Sequence, residues 1–159
     1  MRKILGTNTS VLLTTSPVPV IVVPQSYRRN PIRTLFYASD FNNLGWELKK
    51  VKDFATPLKS KINVYHYDYL LNLKETLDKL KKASAPYRGA GVSFSFEKQH
   101  IEESLAYHLR RDVKKTKASM AVLFTKQNRG WFERIFLSSK SVELSFATTL
   151  PLLIFRKRQ

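Results

Sequence analysis

The chain of 159 residues is long enough for one packed domain but short for two, since domains typically contain about 100 to 150 residues. It has no cysteine, which excludes disulfide bonds and thiolate chemistry and fits a reducing cytoplasm. The 28 basic residues against 12 acidic ones give a net charge of +16, which favours contact with polyanions such as nucleic acid or an anionic lipid surface but does not identify the partner.

The first 24 residues combine a basic start with an apolar stretch, as a secretory signal would. Pro17 and Pro19 interrupt that stretch, and it falls short of the ~20 apolar residues that a membrane-spanning helix needs. We therefore expect a cytoplasmic location and no contact with membranes. A segment through Leu13 leads into a β-branched strand, Val18–Val23, and the polar, proline-bounded residues 25–31 predict a linker.

Residues 32–158 alternate short β-branched or aromatic runs with stretches of helical period. This alternation is typical of βαβ units, so we predict an α/β fold: a Rossmann-like, open, parallel, five-stranded sheet with helices on both faces. The predicted strands are Ile32–Ser39, Lys61–Tyr67, Gly91–Phe96, Ser119–Phe124 and Pro151–Arg156.

Three predicted helices separate the first four strands, and a fourth, at about 139–149, precedes the last strand. Apolar residues at spacings of three and four mark the side of each helix that faces the sheet. The inward positions are Leu44, Leu48, Val51, Ala55 and Leu58 in the first helix, Leu73, Leu77 and Leu80 in the second, and Ile101, Leu105, Leu109 and Val113 in the third.

Four short motifs follow one another along this region: Ile32–Phe41, Val64–Tyr67, Phe132–Leu137 and Pro151–Ile154. Their order and spacing resemble the universal stress protein (UspA-like) family, particularly its tandem two-domain bacterial members. The resemblance implies an adenine nucleotide alpha hydrolase-like fold and a stress-response or regulatory role. Residues 1–24 resemble the last helix and strand of a preceding copy, which would leave 32–158 as the complete domain.

The resemblance also implies where a nucleotide would bind. Nucleotide-binding members carry a G-x2-G-x9-G-[ST] loop after the fourth strand, where glycines let backbone N–H groups approach phosphate oxygens. This chain has Thr125, Asn128 and Ser138 at the glycine positions and Ser139 at the hydroxyl position. We therefore expect a degenerate site with no bound cofactor, in a domain that acts through protein contacts.

An ATP-binding stress sensor is the alternative. Asp40 ends the first strand, where open α/β sheets bind ligands and where the family's adenine-contacting Asp lies. Lys126 and Arg129 could attract phosphates without glycines, and Ser138–Ser139 could cap a helix that faces an anion. A competing interpretation makes Asp40 the cap of the helix that begins near Asn42.

Catalytic and metal-binding patterns are missing from the sequence. No segment has the Gly-x-Ser-x-Gly turn of a nucleophile elbow. His66 lies inside an apolar strand and is predicted to be a core histidine, while His100 and His108 are eight residues apart and neither has a second histidine three or four residues away. We expect neither an enzyme nor a metal site.

Two apolar segments are candidates for contact with partners. The predicted last strand, Pro151–Arg156, would be an open apolar edge, and such edges promote association. We expect Val18–Val23 to pair with it, either within one chain or exchanged between two in a homodimer. Trp131 and Phe132 either cover the empty phosphate site or form a patch for an unidentified protein partner.

The basic residues have two interpretations as well. Lys114, Lys115 and Lys117 are expected to be the solvated end of a helix, where positive charge also suits the helix dipole, and residues 156–158 to be a solvated tail. Binding of nucleic acid, driven by the net charge, is the further alternative.

Overall fold

One mixed sheet organises the chain. The computed structural model describes residues 11–13, 15–69, 73–89, 91–100, 102–125 and 149–157. The strands in these ranges are β1 Val20–Val22, β2 Thr34–Ala38, β3 Lys61–Asp68, β4 Val92–Lys98, β5 Met120–Thr125 and β6 Leu152–Arg156. The helices are α1 Leu44–Leu58, α2 Lys74–Ser84 and α3 Leu105–Lys115, with a 3₁₀ helix at Ala85–Tyr87. None of the described helices has both the length and the apolar character required to cross a membrane.

The strand order β1-β6-β5-β2-β3-β4 makes the fold doubly wound. From β2 the chain moves outward through β3 to β4, and it then returns through α3 to β5 on the other side of β2. All pairings among β2 to β6 are parallel. The direction of winding therefore reverses between β2 and β5, which confirms the predicted Rossmann-like architecture.

The sheet has six strands rather than the five predicted, and it is not wholly parallel. β1 runs antiparallel to β6, with Val20 opposite Ile154 and Val22 opposite Leu152. β6 is apolar and would otherwise expose a full row of backbone N–H and C=O groups, which β1 satisfies. This pairing lies within one chain, and a homodimer stays a prediction.

Helices cover both faces of the sheet, because alternate residues of each strand point to opposite sides. On one face α3 buries Leu105, Leu109 and Val113 against Phe36, Ala121 and Leu152. On the other, α1 buries Leu44, Leu48, Val51 and Ala55 against Leu35, Tyr37 and Val122.

Two of the residues predicted to face the sheet are exposed, so these two predictions were wrong. Leu58 is 43% exposed because α1 ends there, at a left-handed turn through Lys59, and Leu73 is 50% exposed because it precedes the first turn of α2. Ile101 and most of the predicted fourth helix lie outside the described residues.

The segment before β1 contributes to the core, and we expect a substitution to show it. Leu13 is 2% exposed and belongs to the same buried cluster as Leu152 and Ile154. Leu13→Ala should lower the free energy of unfolding by about 2–5 kcal/mol in urea denaturation. The neighbouring Leu12 is 52% exposed, so Leu12→Ala should change it by less than about 0.5 kcal/mol. Equal, small effects of both substitutions would contradict this packing.

Candidate functional site

The carboxyl ends of three neighbouring strands meet where the winding of the sheet reverses, the place at which open α/β sheets bind ligands. Asp40 follows β2, Thr125 ends β5, and Lys157 follows β6. Since β5 lies between β2 and β6, a contact between Asp40 and Lys157 has to cross the end of β5.

The side chain of Lys157 makes this crossing and contacts two carboxylates. Its Nζ lies 2.7 Å from each carboxylate oxygen of Asp40 and 2.9 Å from Oε1 of Glu47. Lys157 is 7% exposed and Glu47 1% exposed. One buried ammonium therefore compensates part of the charge of two carboxylates, of which Glu47 is buried and Asp40 is partly exposed.

Glu47 receives its second partner from β2. The hydroxyl of Tyr37 donates to Oε2 of Glu47 and also lies 3.1 Å from Oγ of Ser39. Burial, and then the negative charge of Glu47, raise the pKa of Tyr37 far above its usual range, so this phenol stays protonated as a donor. Oε1 of Glu47 makes no aligned hydrogen bond, so its contact with Lys157 is electrostatic.

Asp40 has donors for all of its acceptor positions. Besides the two contacts from Lys157, Oδ1 accepts from the backbone N–H of Asn42 at 3.0 Å, and Oδ2 accepts from its side-chain amide at 3.1 Å. The interpretation of Asp40 as a helix cap was wrong: α1 begins at Leu44, and its N-cap Asn43 makes no side-chain capping bond. Asp40 instead closes a local turn with Asn42 and holds the chain to β6.

The ion pair sets the charge states of both partners. Burial alone would raise the pKa of Asp40, but the hydrogen bonds from Lys157 and Asn42 outweigh it and lower that pKa below its usual value. Burial alone would likewise lower the pKa of Lys157, yet its hydrogen bond to Asp40 and the charge of Glu47 raise it. Both groups are therefore charged at neutral pH.

Of the other predicted site residues, the structure describes Thr125. It is 3% exposed, and its carbonyl oxygen accepts the backbone N–H of Lys157 at 2.8 Å. A residue with a side chain thus fills the position at the end of β5, where the resemblance expected glycine. Lys126, Asn128, Arg129, Ser138 and Ser139, together with Trp131 and Phe132, lie outside the described residues.

We call Lys157, Asp40 and Glu47 the Lys157 cluster. The sequence analysis predicted neither Lys157 nor Glu47 as a site residue. Lys157 was expected in a solvated tail, which is wrong, because the carboxylates of Asp40 and Glu47 draw its side chain into the sheet end. Glu47 offered a signal that was not used: it lies three residues after Leu44 and four before Val51, on the apolar stripe of α1. A charged residue at a buried helical position requires a buried partner.

A second buried polar group joins β3 to α3. The hydroxyl of Tyr67 donates to Oδ2 of Asp112 at 2.8 Å, and Arg111 donates to both oxygens of Asp112 at 2.8 and 3.0 Å. Asp112 is 1% exposed. The guanidinium compensates the buried carboxylate, so this group stabilises the packing of α3 and leaves no charge available for chemistry.

Two of the three histidines are buried in the described part of the fold. His66 is 8% exposed, with Nδ1 2.8 Å from the carbonyl oxygen of Ser39. His108 is fully buried, and burial followed by the charge of Arg111 lowers its pKa, so it is neutral. Across the described ranges, no three potential ligands come together as a metal centre would require.

Comparison with known proteins supports the fold rather than a sequence family. No protein-family model matches the chain, and no curated protein matches it in sequence. A universal stress protein from Archaeoglobus fulgidus has a similar structure, with a TM-score of 0.63 and 14% identity over 92% of this chain and 52% of that one. A protein of unknown function from Pseudomonas aeruginosa has a TM-score of 0.63 and 19% identity over 97% of this chain and 57% of its own.

A third similar structure is a universal stress protein in complex with cAMP, with a TM-score of 0.56 and 14% identity over 80% of this chain and 98% of that one. The chain therefore has the fold of the universal stress proteins, as the sequence motifs implied. It spans about half the length of the first of these structures, 52% in the Archaeoglobus fulgidus protein.

Removing the buried ammonium should destabilise the domain. Lys157→Met keeps most of the side-chain volume but leaves Asp40 and Glu47 facing each other, and breaking a buried pair costs about 3–5 kcal/mol. We expect a loss of that size in urea denaturation at pH 7. The exposed neighbour provides the control, since Arg156→Met should change the free energy of unfolding by less than about 0.5 kcal/mol. Similar values for the two variants would contradict the buried pair.

The lowered pKa of Asp40 predicts the acid dependence of stability. Its contribution is fully present above the unfolded-state pKa of about 3.9 and is lost as pH falls through the lower folded-state pKa. The difference in unfolding free energy between the wild type and Asp40→Asn should therefore be constant from about pH 5 to 8 and shrink below about pH 4. A difference that does not change on acidification would show that Asp40 is not paired.

Proposed function

We propose that the chain is a universal stress protein-like regulatory domain whose nucleotide site is closed by its own Lys157 and which acts through contacts with other proteins. The observation that carries this proposal is the position of the Lys157 ammonium on Asp40, at the reversal point of the sheet. We further propose that the domain is not an enzyme, since the buried carboxylates among its described residues, Glu47 and Asp112, are engaged in ion pairs within the fold.

The first argument is saturation of Asp40. A carboxylate offers about four acceptor positions. Lys157 and Asn42 together supply four contacts of 2.7 to 3.1 Å to the two oxygens of Asp40. An adenine amino group that approached Asp40 would have to displace one of these donors.

The second argument is energetic. Displacing the ammonium of Lys157 would also separate it from Glu47, and breaking a buried pair costs about 3–5 kcal/mol. A hydrogen bond from a ligand to a charged group returns about 1.5–3 kcal/mol. The exchange is therefore unfavourable unless phosphate contacts supply the difference, and the resemblance places side chains where the phosphate-binding glycines would be.

The described surface also favours protein contacts. Five apolar side chains on β1 and the segments beside it are strongly exposed. They are Val11, Leu12, Val18, Ile21 and Val23, with exposures between 46% and 63%. Exposed apolar groups beside an edge strand promote association, and these lie on or next to the strand for which we predicted a homodimer.

An ATP-binding sensor is the second candidate, because a protein of the same fold is known in complex with cAMP. In this chain it requires Lys157 to leave Asp40, or to remain and contact a phosphate. Direct titration distinguishes the sensor from the closed site.

We expect no saturable heat when Mg-ATP or cAMP is titrated into the wild-type protein near physiological salt. Because Asp40 is engaged, Asp40→Ala should leave this result unchanged. Asp53→Ala, which removes an exposed carboxylate of α1, is the matched control. Micromolar one-to-one binding that disappears in Asp40→Ala but persists in Asp53→Ala would refute the closed site and support the sensor.

A further inference from the structure

The edge of the sheet opposite the Lys157 cluster is strongly basic. We call it the basic edge and define it by eleven exposed residues near the amino ends of β2 to β5. They are Arg28, Arg29, Arg33, Lys59, Lys61, Lys81, Lys82, Arg88, Lys114, Lys115 and Lys117. They come from the linker before β2, the ends of the three helices and the turns that lead into the strands.

The topology gathers these residues. Strands β2 to β5 are parallel and begin at the same edge, so each connecting helix ends there. The segments 24–34, 54–61, 79–91 and 113–119 contain no Asp or Glu. None of the eleven side chains forms an ion pair with a described residue. The positive charge of the basic edge is therefore not neutralised locally.

Compensation of helix dipoles accounts for only a small part of this charge. A helix end carries roughly half a negative charge, so the three helices that end here contribute about −1.5 in total. The basic edge carries eleven positive charges. The exposure of Lys114, Lys115 and Lys117 is consistent with their interpretation as a solvated helix end. Most of the positive charge of the basic edge remains unexplained by helix dipoles.

An open cavity lies at the centre of the basic edge. Its volume is about 660 Å³, and it is lined by Pro31, Ile32, Arg33, Thr34, Leu58, Lys59 and Lys61. Three of these seven residues are cations and none is acidic. The surface is therefore concave where three positive charges converge.

Further cations lie on both sides of this cavity, along the edge of the sheet. Arg33 immediately precedes β2, and Lys61 begins β3 opposite Thr34. Lys117 precedes β5, which adjoins β2 on its other side, and Arg88 precedes β4. Neighbouring strands are about 4.8 Å apart, so these four entry points form a row of roughly 14 Å.

We propose that the basic edge binds the sugar–phosphate backbone of a single nucleic acid strand, with Arg33, Lys59 and Lys61 as its central phosphate contacts. A phosphodiester chain can follow the row of cations and enter the cavity, and neutralising phosphates releases counterions from the strand. The exposed aromatic side chains among the described residues, Tyr69 and Tyr107, lie toward the carboxyl ends of the strands. Binding through phosphates without base stacking is independent of sequence.

An anionic bilayer fits this edge less well. Stable attachment to a bilayer combines basic residues with inserted apolar or lipid groups. At the basic edge, the strongly exposed apolar side chains among the described residues are Leu58, which lines the cavity, and Val23. A flat lipid surface cannot reach the cations inside a concavity, whereas a flexible strand can.

The test is fluorescence anisotropy of a labelled 20-nucleotide oligothymidine between 50 and 300 mM salt. The variant Arg33→Gln, Lys59→Asn, Lys61→Gln removes the central cations, with asparagine at position 59 because φ there is +53°. Each lost phosphate contact lowers the slope of log K against log salt by about 0.7, so the slope should fall by about 2. We expect the dissociation constant to rise about tenfold or more at 150 mM salt.

A second triple variant that removes the same number of positive charges distinguishes the effect of their position from the effect of net charge. The variant Lys50→Gln, Lys74→Gln, Lys98→Gln removes three exposed lysines away from the basic edge, and it should weaken binding less than about threefold with a nearly unchanged salt slope. Equal weakening in the two triple variants would show that overall charge, rather than this edge, binds the strand. Loss of binding to phosphatidylserine vesicles in the first variant, with oligonucleotide binding intact, would assign the edge to a membrane and overturn the proposal.

Discussion

One buried ammonium group connects the two halves of the sheet at its ligand-binding end. Lys157 belongs to the strand end of β6, while Asp40 follows β2 and Glu47 lies in the first turn of α1. Both carboxylates contact the same ammonium and would repel each other without it, and Tyr37 completes the group by donating to Glu47. The same contact holds the chain after β2 to β6 and, in the proposed function, closes the nucleotide site, so one ion pair serves both stability and closure.

The sequence predicted the parts of the fold that depend on local pattern. Alternation of strand-like runs with stripes such as Leu105, Leu109 and Val113 was enough to predict a doubly wound sheet with both faces covered, because that periodicity follows from burial. The sixth strand was predicted as a partner of β6 but not counted in the sheet. Lys157 could not be placed, because its partner Asp40 lies 117 residues away and nothing local distinguishes it from the solvated Arg156.

The two edges of the sheet have opposite electrostatic character. At the carboxyl ends, Lys157 compensates part of the charge of Asp40 and Glu47 within the fold. At the amino ends, eleven cations face solvent without acidic partners. A domain built in this way can lose the ligand chemistry of one edge while the other edge remains a surface for polyanions, since parallel strands keep the two edges a full strand length apart.

In the pairing of β1 with β6, Val20 lies opposite Ile154. The first described strand therefore cannot pair until the last one has been synthesised. Domains fold from their amino-terminal parts as the chain leaves the ribosome, but β1 has no neighbour in the sheet other than β6. Until β6 and Lys157 have emerged, β1 and the carboxylates near β2 lack their partners. A nascent chain therefore exposes the apolar strand β1 until β6 has been synthesised.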